Sequence, residues 1–154
     1  MATVYSVQKT KWSVNNPSEK VNTNELAGRV RVAYGEYTTA STASGDVIEM
    51  FNLPNGARIV GAKLGHEALG ASTTLSVGYA AHTASDGSAV SAAAAAYKAA
   101  AASTSAQVVD AAATLALGFA SVTDANEGGV PVTVTIGGAA ATGKVTLTML
   151  YVTD

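Results

Sequence analysis

Apolar and polar residues alternate one by one along much of this chain, and this alternation limits the fold more than any other feature. Successive side chains of a β-strand point to opposite faces, so an alternating stretch forms a strand with one apolar face. The pattern is clear at 30–34, 74–79, 115–119, 130–136 and 144–152. The chain is therefore predicted to be an all-β protein, with one apolar and one polar face on each alternating strand.

Turn-forming residues separate the predicted strands. Pro54, Asn55 and Gly56 lie between strands predicted at 46–53 and 57–66. Pro fixes one turn torsion and Asn-Gly tolerates positive φ, so these three residues predict a tight turn. Short strands rich in β-branched residues, with turns between them, are typical of a β-sandwich or a barrel.

The chain of 154 residues is long enough for one domain with a substantial core. Polar, loop-forming stretches lie within 1–28, which we interpret as an extended N-terminal arm, and 29–154 is the predicted β-sandwich domain. Tyr5 and Trp12 are large apolar residues within the arm. They either fold back onto the domain or anchor the arm on a neighbouring subunit, so both are candidate contacts.

Alanine dominates 84–113, between the two halves of the β pattern. Alanine has the highest helix propensity, and Asp86 or Ser88 could cap a helix over 89–101. Alanine buries little surface, however, so such a helix would depend on few large side chains, Tyr97 among them. We therefore expect an Ala-rich insertion, with or without a helical piece, that contacts other molecules. Tyr97 is its candidate contact residue.

The composition favours a protein that neighbours cover. Charged residues make up 13% of the chain, about half the usual fraction, and the 48% hydrophobic residues are mostly Ala and Val. A free monomer normally keeps more charge on its surface. The net charge of −2, with scattered basic residues, argues against nucleic-acid binding.

Signals for export, membrane insertion and disulfide formation are lacking in the sequence. Residues 1–11 have no apolar core of a signal peptide. No apolar run reaches the roughly 18 residues of a membrane span. The chain has no cysteine, which excludes a disulfide framework and a thiolate metal site. We expect no association with a membrane.

Residues suited to catalysis or metal binding are sparse. His66 and His82 are the two histidines, and a metal site needs several ligands at regular spacing. Asp124, Asn126 and Glu127 offer oxygen atoms, but their spacing matches no calcium loop and is typical of a polar turn. The sequence contains neither a nucleophile elbow nor a phosphate-binding loop. We predict no catalytic residue, cofactor or metal, and therefore no enzyme.

A family resemblance rests on segments that carry strand and turn chemistry. They lie at 28–34, 45–50, 53–60, 69–78, 132–138 and 143–151. These segments resemble small phage structural proteins of the capsid decoration or cement type. The resemblance implies a jelly-roll-like β-sandwich, often a homotrimer, that binds the major capsid protein and bridges neighbouring subunits. It also implies a place on the capsid surface of the virion, after assembly in the host cytoplasm.

Other classes of protein share parts of this pattern. A phage tail or fibre component would have the same β-rich, weakly charged composition. A carbohydrate-binding β-sandwich would need a planar aromatic surface, whereas the tyrosines here are spread through the chain. A hydrolase would need polar groups that converge around His66 or His82.

Overall fold

Most of the alternating stretches form strands in the computed structural model, which describes residues 6–13, 28–112 and 122–153. These ranges contain one short helix and ten strands. The helix is α1 (Val7–Ser13), and the strands are β1 (Val30–Thr42), β2 (Val47–Leu53), β3 (Arg58–His66), β4 (Thr74–Tyr79), β5 (His82–Thr83), β6 (Ala89–Val90), β7 (Ala93–Ala102), β8 (Gln107–Asp110), β9 (Val130–Gly137) and β10 (Ala141–Val152). The strand predicted at 115–119 lies outside the described residues.

Eight of these strands form two antiparallel sheets that pack face to face. The first sheet has the order β1-β10-β3-β8 and the second has the order β2-β9-β4-β7, while β5 and β6 form a small hairpin. Along the chain, these eight strands pass from one sheet to the other at every step except from β4 to β7. Two four-stranded sheets joined in this way form a jelly roll, which confirms the all-β, jelly-roll-like sandwich predicted from the sequence.

The core lies between the sheets and consists of alternate residues from their strands. The largest fully buried side chains are Leu53, Ile59, Leu64, Leu69, Leu75, Val77, Val132, Val134, Ile136, Val145, Leu147 and Met149. Burial of each such side chain contributes about 1.5–3 kcal/mol relative to leaving it exposed. The alternation along β4, β9 and β10 therefore supplies much of the free energy that holds the two sheets together.

Strand β1 turns the larger of its apolar residues outward. Val32 and Tyr34 are exposed, while Ala33 packs against the core and Gly35 is buried. A Cβ atom on Gly35 would approach the Cβ of Met50 on β2 to within 2.9 Å. Because only small residues fit where β1 passes β2, the larger side chains of β1 point away from the core.

The Ala-rich region is part of the sandwich rather than an insertion that leaves it. Residues 93–102 form β7, which pairs with β4 at the edge of the second sheet. Helix propensity differs by less than about 1 kcal/mol per residue among ordinary residues, so strand pairing can override it. Between the pairs Val77–Lys98 and Tyr79–Ala93, β7 carries extra residues that bulge from the ladder.

The described part of the predicted arm contains a helix rather than only extended chain. Helix α1 has exposed side chains at 7–11, and the backbone N–H of Lys9 donates to the Ser6 hydroxyl at 3.2 Å. A serine in this position caps the first turn of a helix. No helix within the described ranges is long and apolar enough to cross a membrane.

Candidate contact surface

The outer face of the first sheet carries several exposed apolar side chains, which together we call the outer patch. Its members are Val32, Tyr34, Val60, Val108 and Leu150. Val32 lies opposite Leu150 in the ladder between β1 and β10, so both side chains are on the same face. Val32 is 61% exposed and Val108 is 71% exposed. Exposed apolar side chains that lie side by side, as Val32 and Leu150 do, are typical of sites that contact other molecules.

The charged groups on this face are arranged as two ion pairs. The Lys63 ammonium on β3 contacts the Asp110 carboxylate on β8, and the Lys144 ammonium on β10 lies 3.0 Å from the Glu36 carboxylate on β1. The Tyr34 hydroxyl also donates to Glu36, at 2.8 Å. The hydrogen bond from Tyr34, together with Lys144, lowers the pKa of Glu36. The opposite charges of each pair offset one another, so the pairs add no net charge to the face.

Two glycines of β3 shape the surface beside the outer patch. Gly61 and Gly65 alternate with the inward Ala62 and Leu64, so β3 presents two positions without a side chain on its outer face. A groove of about 410 Å³ lies over Gly61, with Leu150 among its lining residues. A second depression of about 320 Å³ lies over Gly65. The spacing of these glycines is the sequence signal for the grooves, although from sequence alone it indicated only bulges, turns or close backbone approach.

The outer face of the second sheet is built differently. Its central residues are small, and Ser76 and Thr133 are almost fully buried. A Cβ atom on Gly78 would collide with the backbone of Ala93 and Ala94, which shows that β7 passes directly over this position. The chain therefore covers part of this face with its own Ala-rich strand.

Tyr97, the contact residue predicted in the Ala-rich region, packs into the core. Its side chain is 7% exposed and meets Tyr79 edge to face, with ring centroids 6.0 Å apart. Burial raises the pKa of Tyr97 to about 12. The two rings line a pocket of about 340 Å³ at one end of the sandwich, beside His82, Val90 and other residues. With so little of its surface exposed, Tyr97 offers little contact area to another molecule.

The other two candidate contacts, Tyr5 and Trp12, belong to the predicted arm. Tyr5 lies outside the described residues, and Trp12 lies in α1. Their roles as contacts stay predictions. The sequence interpretation did not identify the outer patch, because alternation alone does not show which face of β1 is buried.

Both histidine rings hydrogen-bond to backbone carbonyl groups. Nδ1 of His66 lies 2.9 Å from the carbonyl oxygen of Glu67. The ring of His82 lies between the carbonyl oxygens of Ala80 and Asp124. Among the described residues, no group of three or more His, Cys, Asp or Glu side chains is arranged to hold a metal ion.

Comparison with known proteins connects this fold to phage particles. No protein-family model matches the chain, and no curated protein matches it. A chain in the capsid of Ralstonia phage GP4 is 25% identical, with a TM-score of 0.63, over 82% of this chain and 86% of that one. A chain in the capsid asymmetric unit of cyanophage Pam1 is 26% identical, with a TM-score of 0.56, over the same shares. These likenesses support placing the chain among the structural proteins of phage virions.

Proposed function

We propose that this chain is a decoration or cement protein that binds the outside of a phage capsid and bridges neighbouring major capsid subunits. The observation that carries the proposal is the structural likeness, over most of the chain, to chains of two phage capsids. The resemblance of the strand and turn segments to decoration proteins supports the same role. In this role the chain works through contacts alone, without catalysis, cofactor or metal.

The outer patch is the part of the sandwich best suited to contact the shell. Burial of Val32, Val108 and Leu150 against a partner would remove exposed apolar surface from water. Such burial contributes about 25 cal/mol per Å². The charges beside the patch are already paired, so docking leaves no isolated charge to be desolvated.

Assembly as a homotrimer would strengthen attachment to the shell even if each copy binds weakly. When three copies engage three equivalent sites, the second and third contacts form at high effective concentration. The expected molar mass in solution is three times that of the 15.3 kDa chain, measured by light scattering. A monomer at micromolar concentration would contradict the trimer, although not the attachment to the shell.

The copy number in purified particles tests the role most directly. A fixed, large ratio of this chain to the major capsid protein is expected for a protein that covers the shell. A handful of copies would contradict the proposal and indicate a tail or fibre component instead. Absence from the particle would overturn the structural role altogether.

A pair of variants tests the outer patch as the docking surface. Leu150→Asp places a charge in the patch, and Ala99→Asp places the same charge on the exposed part of β7. We expect Leu150→Asp to weaken binding to particles that lack the protein by at least about tenfold, which is about 1.4 kcal/mol. Ala99→Asp should bind like the unmodified chain. Equal loss in both variants would refute the patch as the contact.

The arm provides a second, separable contact in this proposal. Deletion of residues 2–24 removes Tyr5 and Trp12 and leaves the strands of the sandwich intact. We expect weaker binding to the shell with an unchanged thermal unfolding transition of the domain. Unchanged binding would show that the arm does not contact the shell.

A further inference from the structure

One end of the sandwich is closed by residues 122–126, which are held on two sides. On one side, the backbone N–H of Gly56 donates to the carbonyl oxygen of Thr123 at 2.9 Å, and the Thr123 hydroxyl donates to the carbonyl oxygen of Pro54 at 2.6 Å. On the other side, the backbone N–H of Asn126 donates to the carbonyl oxygen of Thr83 in the β5–β6 hairpin, at 2.8 Å. This segment therefore connects the β2–β3 turn to the β5–β6 hairpin.

On the hairpin side, His82 adds a further contact to this segment through one ring nitrogen, while the other nitrogen contacts a residue close to it in the chain. Nδ1 lies 3.0 Å from the carbonyl oxygen of Ala80, and Nε2 lies 3.1 Å from the carbonyl oxygen of Asp124. A carbonyl oxygen can only accept a hydrogen bond, and a neutral imidazole can donate from only one of its nitrogens. Both contacts can be hydrogen bonds at the same time only when the ring is a doubly protonated imidazolium.

We propose that His82 is a proton-operated clasp: at acidic pH its ring holds the carbonyl oxygen of Asp124 as well as that of Ala80, and at alkaline pH it keeps the local contact with Ala80 and releases Asp124. Histidine is the side chain that ordinarily changes its charge between about pH 5 and 8. In the neutral ring, one nitrogen would direct its lone pair at a carbonyl oxygen about 3 Å away, which is repulsive. One of the two backbone groups must then move or rebind to water.

The charged side chain that interacts electrostatically with His82 is that of Asp124. The Asp124 carboxylate accepts the backbone N–H of Ser85 at 3.0 Å. Hydrogen bonds from Ser85 chiefly, and the positive charge of His82 in addition, lower the pKa of Asp124, while the nearby Asp86 acts in the opposite direction. Asp124 is consequently ionised throughout the range in which histidine titrates. The aromatic groups nearby are Tyr79, whose ring meets the imidazole edge to face at 5.4 Å, and Tyr97, which lines the same pocket.

Release of the clasp would loosen one wall of the pocket between the two tyrosines. His82, Val122 and Asp124 all line this pocket of about 340 Å³. The bonds of Thr123 to the β2–β3 turn do not involve His82, so they hold their side of the segment in either state. The expected change is therefore local, at the hairpin side, and it does not depend on the outer patch or on the proposed attachment to a shell.

Hydrogen exchange of backbone amides, followed by NMR on the full chain, tests the clasp. The amide of Asn126 reports the hairpin side, and the amide of Gly56 reports the opposite side. We expect the protection factor of Asn126 to fall about tenfold between about pH 5.5 and pH 7.5. A change of this size is expected because the segment loses one hydrogen bond from a charged group. The protection factor of Gly56 should stay within twofold over the same range.

The two histidines supply a matched pair of variants. His82→Gln should abolish the pH response of Asn126, because glutamine does not titrate. His66→Gln should preserve it, because His66 has a single carbonyl contact that a neutral ring satisfies. An unchanged response in His82→Gln, or its loss in His66→Gln, would overturn the proposal.

The ring nitrogens of the unmodified protein provide a measurement that does not depend on a variant. At about pH 5.5, nitrogen-15 shifts should show both nitrogens of His82 protonated. As the pH rises and the Asn126 amide loses protection, one of the two ring nitrogens of His82 must lose its proton. Two protonated nitrogens at both pH values, or a single protonated nitrogen at both, would contradict the clasp.

Discussion

The two sheets differ in what covers their outer faces. The first sheet leaves its outer patch exposed to solvent, with grooves over Gly61 and Gly65. On the outer face of the second sheet, Ser76 and Thr133 are buried, and the edge strand β7 runs over Gly78. A sandwich needs only its inner faces to fold, so an exposed apolar outer face is free to serve contacts with other molecules. The covered face contributes to the stability of the domain instead.

The largest effect expected from this difference is a contrast in stability between variants of two tyrosines. Tyr97→Ala should lower the free energy of unfolding by about 3–5 kcal/mol, because the ring is buried at the end of the core. Tyr34→Ala should lower it by less than about 0.5 kcal/mol, because the ring is 58% exposed on the open face. Denaturant titration of both variants measures the contrast. A similar loss in both would mean that the first sheet also depends on its outer face for stability.

A pair of glycines sharpens the comparison at the backbone. Gly78→Ala should cost about 2–3 kcal/mol, because its Cβ would overlap the backbone of β7 and force that strand away. Gly61→Ala should be nearly neutral, since no atom lies within 4 Å of the position that its Cβ would occupy. Thermal and chemical denaturation of the two variants should rank them in this order. If Gly78→Ala proved as mild as Gly61→Ala, β7 would not be closely packed on this face.

The smallest effect concerns the ion pair on the open face. The pKa of Glu36 is lowered by its hydrogen bond to Tyr34 and by Lys144, so its ionised form favours the folded state. This contribution is present above the unfolded pKa of about 4.3 and is lost as pH falls through the lower folded value. The difference in stability between the unmodified chain and Glu36→Gln should therefore be small at neutral pH and vanish in acid. Both groups are exposed, so high salt should also reduce it. A difference that grows below pH 4 would contradict the assignment.

The alternation of residues was enough to predict the all-β class and the core of the later strands. Val132, Val134 and Ile136 on β9 are buried as their spacing indicates. The same reasoning left the orientation of β1 open, because a period of two determines which residues share a face but not which face is inside. Gly35, where a side chain would meet Met50, decides that question, and this contact is visible only once the sheets are packed.

The Ala-rich strand shows a second limit of sequence reasoning. Local propensity favours a helix for a run of alanines, whereas partners distant in the sequence decide its actual conformation. Ala101 lies opposite Leu75 and Ala102 lies opposite Thr74 in the ladder with β4. Small side chains also suit a strand that must pass close over Gly78. The contact proposed to act as a clasp could not be predicted from the sequence for a similar reason. His82 and Asp124 are 42 positions apart in the chain, and only the fold brings them together.

Val30, the first residue of β1, pairs with Val152, the last residue of β10. The chain therefore enters and leaves the sandwich at neighbouring positions. A peptide fused after residue 153 would therefore begin close to the point where the arm joins the domain. If the arm contacts the shell, a peptide fused at this point would lie close to the surface of the particle. A neighbouring subunit would then obstruct access to the peptide.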